Sequence, residues 1–101
     1  MSAEAKLLVV DDEFNILELL ATSLRFAGFE VVTAGNGREA IEKAEQEQPD
    51  LIVLDVMMPG MDGFDVTRRL REGGRTYPVL FLTAKDATED KVAGLSAGGD
   101  D

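Results

Sequence analysis

The sequence has no cysteine, no histidine and no tryptophan among its 101 residues. The absence of cysteine excludes disulfides, zinc–thiolate sites and thiol catalysis. The absence of histidine excludes an imidazole base, nucleophile or metal ligand in this sequence. No basic stretch precedes an apolar segment at the N-terminus, and no apolar run approaches the length that spans a bilayer. We therefore expect a cytoplasmic protein with no membrane partner.

Basic residues are also scarce, since ten lysines and arginines stand against twenty acidic residues and give a formal net charge of −10. This surplus argues against direct binding of a nucleic-acid backbone and suits a divalent cation or a basic partner. With 45% hydrophobic and 30% charged residues, the composition is that of a globular chain. The length fits one small domain with one core, and we assign residues 1–101 to it.

Short apolar runs alternate with amphipathic segments along the whole chain. Four consecutive large aliphatic residues, as at 51–54, are typical of a strand buried on both faces of a parallel sheet. The alternation predicts an α/β fold, a doubly wound parallel sheet with helices on both faces and the second strand at an edge. We predict strands at 7–10, 29–33, 51–54 and 79–83, and helices at about 13–27, 38–47, 63–72 and 88–97.

The inward face of each helix is predicted from apolar residues spaced three and four apart. Asp62, just before the third helix, is predicted to be its N-cap. The residues expected to face the sheet are Ile16, Leu19, Leu20, Ser23 and Leu24 in the first helix, Ala40, Ile41 and Ala44 in the second, and Phe64, Val66 and Leu70 in the third.

Polar side chains follow three of the predicted strands at the point where each strand ends. Asp11 and Asp12 follow the first strand, Asp55 follows the third, and Thr83 ends the fourth. Strand ends of a parallel sheet share one rim, which is where ligands bind in open α/β sheets. Carboxylates gathered there repel one another, and a hard cation such as Mg²⁺ relieves the repulsion. The pattern predicts a Mg²⁺ site and chemistry on phosphate, in which an aspartate can be the covalent acceptor.

Each of these residues also has a plainer interpretation when it is taken alone. Asp11 and Asp12 could cap the first helix, and Asp55 could be a turn former before Pro59 and Gly60. Thr83 could be an ordinary strand-end residue. The combination favours a site, because the polar residues stand at the ends of strands that are themselves apolar.

Three motifs carry a resemblance to a known family: VVDDE at 9–13, LDVMMPGMDG at 54–63 and LTAK at 82–85. In order and spacing they resemble the receiver domain of two-component response regulators, from about residue 6 to residue 101. The resemblance implies the CheY-like, flavodoxin-like (βα)5 fold. The closing AGGDD at 97–101 resembles the OmpR/PhoB subfamily, in which a winged-helix DNA-binding domain follows. Within that group the sequence is most similar to actinobacterial PhoP-type regulators.

The resemblance implies that Asp55 is the phosphoacceptor, modified by the phosphohistidine of a sensor histidine kinase. It implies that Asp12 and Asp55 ligate Mg²⁺ through their carboxylates, with Asp11 close by or acting through water. The backbone carbonyl of Met57 would complete the protein ligands.

The resemblance further implies a switch that responds to phosphorylation. Thr83 would be the switch hydroxyl that moves to bond the phosphoryl group, and the small Ala84 would leave room for that group. Phosphorylation would then control transcription through a DNA-binding domain of the parent regulator. Such a domain catalyses its own phosphorylation and dephosphorylation and is not an enzyme with turnover.

The family pattern continues past Asp101 with an aromatic switch residue, a lysine, a fifth strand and a fifth helix. The sequence therefore resembles a C-terminally truncated receiver. Without a fifth strand, the strand at 79–83 would present an unpaired apolar edge. We expect a homo-oligomer or swapped assembly through that edge or the fourth-helix face. The alternative function is a chemically silent, self-associating receiver fragment.

Two other classes were weighed against the receiver. An enzyme of the haloacid-dehalogenase kind also uses an aspartate nucleophile with Mg²⁺. That family has a D-x-D motif after its first strand, where this chain has Asp11-Asp12-Glu13. A flavodoxin-like cofactor binder needs a phosphate cradle of glycine, serine or threonine after that strand, and this loop is acidic.

Overall fold

The computed structural model describes residues 5–82. The predicted helix at 88–97 and the fourth strand's Thr83 lie outside the described residues. In chain order the elements are β1 (Lys6–Val10), α1 (Phe14–Phe26), β2 (Glu30–Ala34), α2 (Gly37–Glu47), β3 (Leu51–Asp55), α3 (Gly63–Glu72) and β4 (Val79–Leu82). All seven elements were predicted from the sequence, with boundaries that differ by one residue at most.

The four described strands form one parallel sheet in the order β2-β1-β3-β4. The register aligns Val10 of β1 with Ala34 of β2 and with Leu54 of β3. Asp55, the last residue of β3, pairs with Leu82 of β4. The doubly wound parallel sheet and the edge position of β2 are thus confirmed. The carboxyl ends of all four strands lie at one rim.

Alternate residues of the central strands point to opposite faces and build a core on each. Leu8 and Leu54, both 0% exposed, face α2 and α3 together with Ala40, Ala44 and Val66. On the other face, a second cluster with α1 is formed by Val9, Leu17, Ala21, Val31 and Val53. Helices therefore cover both faces of the sheet. No helix in residues 5–82 is long and apolar enough to cross a membrane.

The predicted inward stripe of α1 is partly wrong. Leu17 and Ala21 are the buried residues of this helix, with Leu20 and Leu24 packed beside them. By contrast Leu19 is 65% exposed, and Ile16 and Ser23 are exposed as well. The helix has more large apolar residues than one face can hold, so the spacing fitted two rotations about the helix axis. Contact with β1 and β2 selects the rotation that buries Leu17.

The inward faces of α2 and α3 agree better with the prediction. Val66 and Leu70 are buried, while Phe64 is 48% exposed and contacts Phe81 of β4 with ring centroids 4.9 Å apart. The predicted N-cap of α3 is confirmed, because Asp62 and Asp65 form a reciprocal capping box. Each of these carboxylates accepts a hydrogen bond from the other residue's backbone N–H.

Candidate functional site

Three carboxylates meet where β1 and β3 end. Asp11 and Asp12 directly follow β1, and Asp55 closes the neighbouring β3. One carboxylate oxygen from each residue lies within 4.8 Å of the others. Asp11 and Asp55 are each only 4% exposed, whereas Asp12 is exposed to solvent. The rim therefore holds a compact acidic cluster, open to water on the side of Asp12.

Backbone N–H groups orient two of these carboxylates. Oδ1 of Asp11 accepts a hydrogen bond from the N–H of Glu13 at 2.9 Å, and Oδ1 of Asp55 accepts one from the N–H of Met57 at 3.1 Å. The N-cap of α1 is Glu13, and no side chain caps this helix. Asp11 and Asp12 are therefore not the caps of α1. Asp55 does form a turn of the expected kind, and that turn aims it into the cluster.

The loop between β3 and α3 is fixed to the end of β3. The carbonyl of Val56 accepts from the N–H of Met58 and from the N–H of Gly63, each at 3.1 Å. A Cβ at Gly63 would lie 2.8 Å from the carbonyl oxygen of Asp55, so only glycine fits this approach. Gly60 turns the loop with φ +79°, a conformation that favours glycine.

The side chain of Met57 is 55% exposed. The contact of Met57 with Asp55 is made by its backbone N–H. Thr83 and Ala84 lie outside the described residues. Leu82, directly before them in sequence, pairs with Asp55, so β4 runs beside β3 as far as the rim.

The sequence did not reveal the role of Gly63, which was interpreted only as the start of a helix. The one signal available was the Asp62-Gly63 dipeptide, and it indicates a turn or a cap without indicating what lies nearby. The close approach to the carbonyl of Asp55 depends on how α3 packs against β3.

The acidic cluster suits a small, hard cation. At ligand distances of about 2.1 Å, oxygens of an octahedral Mg²⁺ site lie roughly 3 to 4.2 Å apart. Oxygens already within 4.8 Å of one another need only a small contraction to reach such positions. In residues 5–82, neither Asp11 nor Asp12 forms an ion pair with a lysine or arginine. A bound divalent cation would relieve the repulsion between these carboxylates.

A family model described as the response regulator receiver domain matches residues 7–101. The chain belongs to this family. It is a receiver domain of a two-component response regulator, and the acidic cluster stands where β1 and β3 of the receiver fold end. The family resemblance predicted from the three sequence motifs is confirmed.

Curated relatives of the receiver are transcription regulators. The chain is 54% identical over 96 residues to the alkaline phosphatase synthesis transcriptional regulatory protein PhoP of Bacillus subtilis, and 53% identical over 94 residues to the probable transcriptional regulatory protein TcrX of Mycobacterium tuberculosis. It is 48% identical over 96 residues to the response regulator MprA of Mycobacterium leprae. These relatives agree with the expected OmpR/PhoB subfamily and its PhoP-type and actinobacterial members.

The matched regions cover 93 to 95% of this chain but only 40 to 42% of those relatives. The chain thus spans about two-fifths of the length of the curated relatives it matches.

Solved structures confirm the receiver fold. The chemotaxis protein CheY4 of Vibrio cholerae superposes with a TM-score of 0.78 at 40% identity, covering 95% of this chain and 82% of that one. The response regulator TrrA of Thermotoga maritima, solved in complex with Mg²⁺ and BeF, gives a TM-score of 0.74 at 37% identity. The match covers 97% of this chain and 83% of the TrrA chain.

Proposed function

We propose that this receiver takes a phosphoryl group from the phosphohistidine of a sensor histidine kinase onto Asp55, with Mg²⁺ bound beside it. The observation that carries the proposal is the cluster of Asp11, Asp12 and Asp55 at the ends of two adjacent strands. Of these, Asp55 is proposed as the acceptor because the receiver resemblance gives that role to the acid that ends β3, and the N–H of Met57 holds its Oδ1 in place. A fixed carboxylate can attack phosphorus without first losing rotational freedom.

The reaction is a displacement at phosphorus. A carboxylate oxygen of Asp55 forms the new O–P bond while the N–P bond of the phosphohistidine breaks, and the imidazole leaves with the electron pair. The product is an acyl phosphate on Asp55. The receiver supplies the nucleophile and its orientation. It promotes both the phosphorylation of Asp55 and the later hydrolysis of the acyl phosphate. In this sense the reaction is self-catalysed, and the receiver is not an enzyme with turnover.

Asp12 and Asp55 would hold Mg²⁺ through their carboxylates, with Asp11 near the ion or bound to it through water. The backbone carbonyl of Met57 would complete the protein ligands. When bound, Mg²⁺ neutralises charge on the phosphoryl oxygens and aligns them for displacement. The exposure of Asp12 supports this assignment, since Mg²⁺ retains several waters. The relative TrrA, solved in complex with Mg²⁺ and BeF, supports it further.

Phosphorylation would then act as a switch. The added phosphoryl group brings negative charge and strong acceptor oxygens, which the hydroxyl of Thr83 would approach, and the small Ala84 would leave space for them. In a parent protein of the length of the curated relatives, the output would be a DNA-binding domain that controls transcription. We place this signalling in the cytoplasm, and DNA contact in that other domain. Residues 1–101 would form the incomplete receiver.

The test is the intact mass of the protein after incubation with acetyl phosphate, with and without Mg²⁺. Wild type should gain one phosphoryl group in the presence of Mg²⁺, and Asp55→Asn should gain none while keeping its circular dichroism spectrum. Labelling of the Asp55→Asn variant to the wild-type level would place the acceptor elsewhere and overturn the proposal.

A second candidate is a silent receiver fragment that self-associates. Among the described strands, β4 stands at the end of the sheet, and its Leu80 is 54% exposed. An apolar strand edge is a template for pairing with a second copy. Light scattering over a concentration series tests this: a folded chain that takes no phosphate and grows in mass with concentration would favour this candidate.

A further inference from the structure

The loop from Val56 to Asp62 is tied to the acceptor at one end. The N–H of Met57 donates to Oδ1 of Asp55 at 3.1 Å, and the carbonyl of Val56 accepts from two backbone N–H groups. Met58, only 7% exposed, anchors the loop in the core between the sheet and α3. A displacement of this loop would therefore move the hydrogen bond that orients the acceptor.

The other half of the loop rests on the first residue of α2. A Cβ at Gly37 would lie 2.9 Å from Cβ and 3.0 Å from Sδ of Met61, and 3.0 Å from Cγ2 of Val66. Gly37 is buried, and its backbone is not in the left-handed region. Glycine is a poor helix former, so its use in helical conformation here is explained by the space that Met61 occupies.

The segment before α2 contacts the acidic cluster as well. The N–H of Asp11 donates to the carbonyl of Ala34 at 3.3 Å, and Ala34 is the last residue of β2. Only Gly35 and Asn36 separate it from Gly37. Asn36 caps α2 by accepting from the N–H of Glu39 at 2.8 Å. A continuous chain of contacts thus runs from Asp11 through the start of α2.

We propose that the contact between Gly37 and Met61 positions the acceptor loop against the acidic cluster, so that both are positioning residues for phosphoryl transfer. The inference rests on the proposed function and names two residues that touch neither phosphate nor metal. Reaction rates at a bound phosphodonor depend on sub-ångström alignment, which a shift of Met61 away from α2 would disturb through Met57.

The experiment compares Gly37→Ala, Met61→Ala and the double variant with wild type, using acetyl phosphate and Mg²⁺ on the 101-residue chain. In the step measured, Asp55 forms an O–P bond and acetate leaves with the electrons of the broken P–O bond. The matched control is Gly73→Ala, where a Cβ would meet nothing closer than 3.5 Å and φ is −80°. All rates are taken at a temperature where circular dichroism shows each variant folded.

Gly37→Ala should slow labelling roughly tenfold and shift the amide resonance of Met57, as expected for a misplaced reacting group. Met61→Ala removes Sδ but keeps the Cβ that a Cβ at residue 37 would meet at 2.9 Å, so this variant should slow labelling by loosening the contact. Because both residues act through one contact, the double variant should be slowed by less than the product of the two single effects. Gly73→Ala should match wild type. A merely structural role would lower the melting temperature and leave the rate and the Met57 resonance unchanged.

Four outcomes overturn the inference. One is wild-type labelling by a folded Gly37→Ala, and another is a double variant slowed by the full product of the two single effects. If Gly37→Ala does not fold, the inference is tested by Met61→Ala alone. A wild-type rate and an unshifted Met57 resonance in Met61→Ala would show that the contact does not position the loop. A wild-type chain that takes up no phosphoryl group overturns the proposed function together with the inference, and is recognised before any variant is compared.

Discussion

The backbone N–H of Met57 donates a hydrogen bond to Oδ1 of Asp55 across 3.1 Å, so the residue two positions after Asp55 orients the Asp55 carboxylate. This contact depends on the main chain alone, and the methionine side chain is largely exposed. Substitution of Met57 by other residues that keep the loop conformation should therefore be tolerated. The contact also explains why the loop, and not only the acid, determines the geometry of the site.

Removal of the Asp12 carboxylate should weaken Mg²⁺ binding far more than removal of the Asp62 carboxylate. Asp12 belongs to the acidic cluster, whereas Asp62 is engaged in the capping box of α3. We expect Asp12→Ala to raise the Mg²⁺ dissociation constant by tenfold or more, roughly the loss of one charged ligand. Calorimetric titration of both variants with MgCl₂ measures their dissociation constants. An equal rise in the two variants would contradict the proposed site.

Loss of the capping box should destabilise α3 without touching the acidic cluster. Asp62→Ala leaves the N–H of Asp65 without its side-chain acceptor, and we expect a cost of about 1 kcal/mol in the free energy of unfolding. Urea denaturation followed by circular dichroism measures this. Asp62→Asn, which keeps a capping oxygen, is the control and should recover most of the loss.

The rotation of α1 can be tested with two leucines of the same helix. Leu17→Ala opens a cavity beside Val9 and should cost about 2 to 4 kcal/mol, as buried leucines do. Leu19 is 65% exposed, so Leu19→Ala should change stability by less than about 0.5 kcal/mol. The measurement is chemical denaturation of both variants. Equal losses would contradict the observed rotation, and a larger loss for Leu19→Ala would mean that α1 packs in the other one.

Lys6 should contribute stability that disappears at alkaline pH. The hydrogen bond to Glu47 raises the pKa of the Lys6 ammonium above its usual 10.5, with nearby Glu30 and Asp50 adding to the shift. Because the pKa of Lys6 is higher in the folded state than in the unfolded state, the charged ammonium stabilises the fold. This stabilisation is fully present below pH 10.5 and is lost as the pH rises through the raised value. Lys6→Met should thus have the lower melting temperature at pH 8, and the gap should close above the raised pKa. A gap that stays constant across that range would contradict the assignment.

The elements and the acidic cluster could be predicted because both follow from local pattern. The buried central strands β1 and β3 are near-continuous apolar runs, and parallel strands bring their last residues to one rim, so Asp11 and Asp55 were expected to meet. The capping role of Asp62 was likewise visible from its place before a helical pattern.

The rest could not be predicted because it depends on how elements pack. The apolar residues of α1 fit two faces, and only contact with the sheet chooses Leu17 over Leu19. The close approach at Gly37 is to Met61 and Val66, which are distant in sequence. The close approach at Gly63 is to the end of β3, onto which the loop folds back. Nothing in the local sequence distinguishes these two glycines from Gly73, where a Cβ would make only ordinary van der Waals contacts.

The unequal exposure of the three carboxylates gives the site a direction of entry. Asp11 and Asp55 are closed in by the sheet and its loops, and only Asp12 faces water. Under the proposed function, ion and phosphodonor would therefore arrive along the same path, past Asp12. Any partner that covers this residue would exclude both at once, and an acyl phosphate formed beneath it would be shielded from hydrolysis for as long as the partner stayed bound.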